Sequence, residues 1–511
     1  MRRSSPSLLN DESTRSAFRR LMRCACDRGF LCADTLNMSS DAPPAIVTAG
    51  LQAAHEADDD SPPPPPPAVD SASASSASVT SAPPVASASA TPAEVDSAPA
   101  PAAAVVEPAA SSAASAAPSA AASSSSASEP AASSMSPAAP AVSPNANPSG
   151  PSVLILGGCG FIGRHLVAYL SSRKLVSKIT VADKSLAATS NLNKDHKAFY
   201  DDKALVTVKH ADLSKPDHVA RVFKDAHYDY VFNLCGETRF GQSDKDYQVK
   251  CVDTAERCAA AAAANGVKKF IEVSTAQVYK PDKSASTESA PLKPWTIQAS
   301  KRLEAEQRIQ KTANLPWVIL RPAIVYGTGD LTGLTPRFCC AAVYRSLGEK
   351  MRFLWGEDLR INVVHADDVA AAMWVAATEV PAGSIFNLAD QSDLTQGKLN
   401  TYIAALFQIE TSFMGSLVSN LARLNLSGIA QDANDKHVPA FTELCVKHQI
   451  LNTPVSPYID QELLKDNHLS IDGRKIEKDT SFRYSRQCNS KESVKEQIDS
   501  FIQQGVFPPL P

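Results

Sequence analysis

An apolar run, Val153–Leu156, leads directly into Gly157-Gly158-Cys159-Gly160-Phe161-Ile162-Gly163, and an amphipathic stretch, Phe161 to Leu170, follows without a break. Read at 157/160/163 the glycines spell G-x-x-G-x-x-G, and read at 158/160/163 they spell G-x-G-x-x-G. A strand that turns sharply into a helix through such a loop lets the backbone approach a pyrophosphate, whose charge meets the helix N-terminus. Glycines that only tighten a turn are the plainer alternative. The strand before, the helix after and Asp183, 20 residues beyond Gly163 at the end of the next apolar run, favour the dinucleotide reading. Asp183 is placed to accept hydrogen bonds from the adenosine ribose. A carboxylate there repels a 2′-phosphate and favours NAD over NADP, with Lys184 and Arg164 as the neighbouring cations that complicate this choice.

Short apolar runs recur at 179–182, 205–208, 230–234, 270–273 and 317–320, separated by helix-length segments such as 215–226, 243–265 and 298–313. Strands alternating with helices imply an α/β fold with a doubly wound parallel sheet of Rossmann type, covered on both faces. The rhythm fades after about 330, although 385–388 reads as a last strand. The expected organisation is a NAD-binding domain over 151–390 and a smaller, mainly helical C-terminal cap over 391–511, lying across the carboxyl edge of the sheet where ligands bind.

Residues 1–150 hold only two aromatics, Phe18 and Phe30, and no lysine, too little to build a core. Between 40 and 150 the chain is mostly Ala, Ser, Pro and Val, with 20 prolines between 43 and 148 and the run Pro62 to Pro67. It reads as a disordered, low-complexity arm. The hexaproline is better explained as an extended spacer than as a polyproline ligand. The Arg- and Ser-rich first 37 residues resemble a mitochondrial targeting peptide but are weakened in that role by Asp11, Glu12 and Asp27, and Met38 is an alternative start.

Residues 151–511 carry 43 basic and 40 acidic side chains, so there is no basic excess to hold a nucleic acid. The 11 cysteines are scattered, odd in number and without C-x₂-C pairs, which suits a reducing, cytoplasmic compartment and argues against a bound metal. No apolar run reaches the roughly 18 residues that span a bilayer.

Further motifs follow in order. Asp212-Leu213 lies in HADLS; VFNLCGET (231–238) ends a strand in the small residues Cys235 and Gly236; EVSTAQVY (272–279) contains Thr275; LRPAIVYGTGD spans 320–330; and LRINVVHADDVAAAM (359–373) contains Arg360. Over roughly 152–390 the sequence resembles the extended short-chain dehydrogenase/reductases, the superfamily of NAD-dependent epimerases and dehydratases that includes nucleotide-sugar 4-epimerases and 4,6-dehydratases. The resemblance implies a cofactor site of Gly157, Gly158, Gly160, Phe161, Ile162, Gly163, Asp183, Asp212, Leu213, Cys235, Gly236 and Lys301. It also implies Thr275 and Lys301 as catalytic residues and Arg360 as a contact to the nucleotide of the substrate.

One position departs from the resemblance. The family's Tyr-x-x-x-Lys uses a lysine ammonium to lower the tyrosine pKa, so that the phenolate takes or gives a proton as hydride moves. The corresponding stretch here is Ile297-Gln298-Ala299-Ser300-Lys301, which keeps the lysine and lacks the phenol. On this register Lys301 orients the nicotinamide ribose, and Ile297→Tyr is the change that restores a phenol. Glu237 could act as general base, but a solvated loop carboxylate neutralised by Arg239 is favoured. Tyr279 and Tyr326 read as packed rings, His365 as part of a strand-to-helix junction, and Cys339-Cys340 as buried thiols.

The expected function is that of a NAD-dependent epimerase/dehydratase-like oxidoreductase acting on a nucleotide sugar or similar alcohol. The alternative is a weak or inactive NAD(H)-binding scaffold or redox-sensing subunit. A homodimer is the assembly to test.

Overall fold

The computed structural model describes residues 143–511 other than 225. Most of the expected arm, including the Arg-rich start, Met38 and the hexaproline, lies outside the described residues. No described helix is long and apolar enough to cross a membrane.

The expected sheet is present. Its strands are β1 (Ser152–Leu156), β2 (Lys178–Asp183), β3 (Val206–His210), β4 (Tyr230–Asn233), β5 (Lys269–Val273), β6 (Trp317–Pro322) and a seventh, Ser384–Leu388. They lie in the order Ser384–Leu388, β6, β5, β4, β1, β2, β3, and every pairing is parallel.

Strand order reverses between β1 and β4, which opens a crevice at their carboxyl ends. The register fixes what meets there: Leu156 lies beside Ala182 and Asn233, and Asn233 beside Glu272. The glycine loop after β1, the 235–237 turn after β4 and Thr275 after β5 therefore share one edge.

Both faces of the sheet are buried, which is why its strands read as continuous apolar runs and not as alternating ones. Val153, Ile155, Val181, Phe232 and Ile271 pack against Leu166 and Leu170 of the helix Phe161–Ser172 and against Val369 and Met373 of the helix Ala366–Thr378. On the other face Leu154, Leu156, Val231 and Phe270 meet Ala255, Ala259, Ala305 and Ile309.

The span 244–265 is helical throughout, capped by Ser243, but contains a π-helical turn at Gln248–Asp253, a local widening often found near functional sites. A separate apolar cluster joins Leu334, Phe338 and Val343 to Leu399, Ile403, Phe441, Val494 and Phe501 of the C-terminal helices. This second core therefore draws on the 334–363 stretch as well as on residues beyond 390.

Candidate functional site

The loop after β1 is shaped by close contact. Gly157 has φ +77°, a left-handed conformation that favours glycine. A Cβ at Gly158 would lie 2.8 Å from Val181 Cγ1, and one at Gly163 would lie 2.5 Å from the Cα of Gly158. The helix is thus drawn tightly onto the loop. Gly160 caps it with no side-chain hydrogen bond, and its first turn, which includes Phe161 and Ile162, holds no acidic residue. The first N–H groups of the helix consequently face outward with their partial positive charge uncompensated, a cradle that fits a pyrophosphate.

Asp183 is buried at the end of β2. One carboxylate oxygen accepts the Cys159 N–H at 3.0 Å and the other the Ser185 N–H at 2.8 Å. Each oxygen keeps a lone pair for a ribose hydroxyl. Arg164 does not compete for a 2′-phosphate, because its guanidinium donates to the carbonyls of Cys159, Gly160, Ser190 and Asn191. These contacts support the expected preference for NAD. Asp212 receives both bonds of Ser214 on Oδ1, chiefly for which reason its carboxyl lies below the usual range. Leu213 beside it is buried.

The 235–237 turn closes the crevice from the β4 side. Gly236 has φ +148°. Glu237 is only 5% exposed, buried where the sequence suggested a solvated loop. It accepts from Arg239 at 3.0 and 2.9 Å and from Lys250 at 3.1 Å. Burial alone would raise its pKa, but the hydrogen bonds from Arg239 and Lys250 outweigh it and hold the group at about 2. A carboxylate so strongly held is a poor proton acceptor near neutrality.

Thr275 accepts the Gln277 N–H at 3.2 Å, and Thr296 donates to Gln277 Oε1 at 3.3 Å, tying the β5 loop to the start of the helix Ile297–Gln310. Thr296 caps that helix by accepting the Ala299 N–H at 3.0 Å.

Here the structure separates residues that the sequence reading had joined. Ile297 is 42% exposed, and its N–H donates to the carboxylate of Glu462 at 3.0 Å. Lys301 Nζ bonds Gln248 Oε1 at 2.8 Å and pairs with Asp244 at 3.1 Å and Glu304 at 3.6 Å. The next residue, Arg302, is the one that reaches the turn after β4, donating to Cys235 O at 2.8 Å. Gln298, four residues before Arg302, donates to Glu237 O at 2.8 Å.

Arg360 is ion-paired to Asp393, and its N–H donates to His468 Nδ1 at 3.1 Å. Tyr279 donates to Asn387 Oδ1 and accepts from Arg321, each at 2.8 Å, and burial raises its pKa. Tyr326 is buried as well, with its pKa pushed up chiefly by desolvation.

His365 ends the strand Val363–His365 and accepts the Asp367 N–H at 3.1 Å to open the next helix. Burial brings it down to about 4, with Asp367 opposing, so the ring is neutral. Cys339 and Cys340 are buried, and although Cys340 Sγ lies 3.5 Å from His437 Nδ1, burial pushes its thiol up to about 12.

Gln298, Arg302 and Glu462 escaped the sequence reading. For the first two a signal existed in the apolar spacing of Ala299, Ala305 and Ile309, which places 302 on the inward stripe. Glu462 sits in a segment with no motif.

Residues 153–389 match the profile of the NAD dependent epimerase/dehydratase family. A dTDP-D-glucose 4,6-dehydratase of Dictyostelium discoideum is 26% identical over 270 residues, covering 48% of this chain and 59% of that protein. A probable UDP-arabinose 4-epimerase 1 of Oryza sativa subsp. japonica is 27% identical over 190 residues, covering 35% and 45%. The chain thus spans about half the length of these curated relatives. Among solved structures, the UDP-glucuronic acid 4-epimerase from Bacillus cereus in complex with UDP-glucuronic acid and NAD aligns with a TM-score of 0.51 at 15% identity, covering 69% of this chain and 99% of that one. This likeness concerns the fold.

Proposed function

Because residues 153–389 match the profile of the NAD dependent epimerase/dehydratase family, we propose that this chain belongs with the extended short-chain dehydrogenase/reductases, binds NAD(H) together with a nucleotide sugar or similar alcohol, and carries out hydride transfer slowly or not at all. The single observation that carries this reading is an intact phosphate cradle beside an acid–base helix without a titratable phenol. Gly157, Gly158, Gly160 and Gly163 form the cradle with the uncapped N–H groups of Phe161 and Ile162. Asp183 would hold the adenosine ribose, Asp212 and Leu213 would border the adenine, and Cys235 and Gly236 would line the nicotinamide half.

Bound NAD⁺ supplies a hydride acceptor. What the chain must add is a proton carrier at the alcohol, and here it falls short: neither Ile297 nor Gln298 titrates, and Glu237 is held ionised by Arg239 and Lys250. Thr275 remains as a hydroxyl for a substrate oxygen. Arg360 would meet a substrate phosphate by sharing or leaving Asp393. The 391–511 segment acts as the cap over this edge. A cofactor-holding or redox-sensing role is favoured by the missing proton carrier, and a substrate-binding role by Thr275, Arg360 and the cap.

Titrating the full chain with NADH and NADPH by nicotinamide fluorescence tests the cofactor assignment. Saturable NADH binding, tighter than NADPH, is expected. Tighter NADPH binding, or none by either, would overturn it.

A further inference from the structure

We infer that Arg302, not Lys301, is the cation that meets the nicotinamide half of the cofactor, and that Gln298 and Arg302 together occupy the inward positions that Tyr-x-x-x-Lys fills in the family. The inference rests on the NAD(H)-binding reading above and deepens it.

The helix Ile297–Gln310 has one buried stripe: Ala299, Arg302, Ala305, Glu306 and Ile309. Its rotation is fixed by Glu306, fully buried, which accepts Arg321 Nε at 3.1 Å and Nη2 at 2.5 Å at the carboxyl end of β6. Residues three, four and seven positions apart share a helix face, so locking 306 inward also locks 302 inward and turns 301 away. Lys301, Glu304 and Arg308 form the opposite row, joined by Lys301–Glu304 at 3.6 Å and Arg308–Glu304 at 2.7 Å. Lys301 is therefore engaged with Glu304, Asp244 and Gln248, and none of these partners belongs to the 235–237 turn.

Arg302 lies against that turn. Its side chain is 9% exposed and stands 3.7 Å from Glu272 Oε1. A Cβ at Gly236 would fall 2.3 Å from Arg302 Nη2, so glycine at 236 serves the guanidinium as well as the backbone conformation. Glu272 is held on its other oxygen by Asn233 Nδ2 at 2.6 Å, while Oε1 has no hydrogen-bond partner and is buried. Asn233 and Glu272 are register neighbours on β4 and β5, so the guanidinium is placed by the sheet edge itself. Gln298 and Arg302, four residues apart, bond successive parts of one turn, Glu237 O and Cys235 O. A guanidinium offers five N–H donors in a fixed plane, and those not used by Cys235 O suit a pair of ribose hydroxyls.

The test titrates the full chain and three variants with NADH, following nicotinamide fluorescence, with thermal melts alongside. Lys301→Ala, which removes only the contacts to Gln248, Asp244 and Glu304, should leave the dissociation constant within twofold. Arg302→Ala should raise it at least tenfold, and Arg302→Lys, which keeps a cation on the inward stripe, should recover much of that loss. A tenfold weakening in Lys301→Ala overturns the inference, as does wild-type affinity in a folded Arg302→Ala. If Arg302→Ala fails to fold because it strands Glu272, Lys301→Ala and Arg302→Lys decide the matter: unchanged affinity in the first and an intermediate one in the second support it. A wild-type chain that binds no NADH removes the underlying cofactor reading instead, a result distinct from NADH binding with the two residues' effects reversed.

Discussion

The two halves of the crevice are built from different material. The half proposed to hold the phosphates, around 157–163, is backbone: a left-handed glycine, a helix start without a side-chain cap, and contacts so close that a Cβ at Gly163 would collide with the Gly158 backbone. The half proposed for acid–base chemistry, around 297–302, is side chain: Gln298 and Arg302 face the 235–237 turn, Ile297 is exposed, and Lys301 turns instead to Gln248, Asp244 and Glu304. Backbone recognition survives any substitution that leaves the loop its shape, whereas proton transfer depends on one titrating group. Cofactor affinity and chemistry can therefore be separated in one fold, and substitutions in each half should have different signatures.

The largest effect is expected from Gly163→Val. Its branched side chain must displace the Gly158 backbone, an overpacking that costs about 1–3 kcal/mol of stability and spoils the cradle outright. NADH binding should disappear while far-ultraviolet circular dichroism still shows an α/β fold; retained affinity would mean that the cradle is not the anchor.

The next effect is a gain. Gln298→Tyr combined with Arg302→Lys places a phenol and an ammonium on the inward stripe and should raise NAD-dependent turnover of a nucleotide sugar by about 10²-fold, the lower end of general acid–base contributions. Ile297→Tyr should give none, since 297 is exposed and its N–H is bound to Glu462. The reverse ranking, scored by chromatography of the sugar products, contradicts the assigned helix rotation.

Asp183→Ala should weaken NADH by about 1–3 kcal/mol, the scale of hydrogen bonds to a charged acceptor. NADPH should lose less, because its 2′-phosphate no longer meets a carboxylate; equal losses in calorimetric titrations would show that Asp183 does not select the cofactor.

The smallest effect concerns stability. Glu237 titrates at about 2 in the folded chain, against about 4.3 for a free glutamate. A depressed folded value stabilises above the unfolded pKa, and that contribution fades as pH falls from roughly 4.3 towards 2. Glu237→Gln should thus cost about 1–2 kcal/mol at pH 7, with Arg239 exposed and the pair partly screened. In melts recorded at several pH values the gap from the wild-type chain should narrow below about pH 4, and a constant gap would show that the ion pairs do not set it.

The sheet was legible because its strands are buried on both faces and so appear as uninterrupted apolar runs: 179–182 and 270–273 fall inside Lys178–Asp183 and Lys269–Val273. The places of the glycine loop and of Asp183 at the ends of β1 and β2 were legible because they follow from local backbone geometry. The rotation of the helix Ile297–Gln310 was not, because a match to the Lys301 position considers one residue at a time, while the buried face is decided by the tertiary pair Glu306–Arg321. Its inward stripe also carries an arginine, which disguises the apolar period. Glu237 was misread as solvated because Lys250, its second partner, arrives from 13 positions away along the chain. Glu462 reaches Ile297 across a sequence separation of 165, and no local pattern announces such a contact.

Cofactor binding in this chain should persist without an efficient proton carrier. The most direct measurement incubates the full chain, saturated with NAD, with a panel of nucleotide sugars and follows their conversion by anion-exchange chromatography. Conversion should fall far below ordinary enzyme rates, about 1–10³ s⁻¹; turnover within that range for any member of the panel would show that an efficient proton carrier is present.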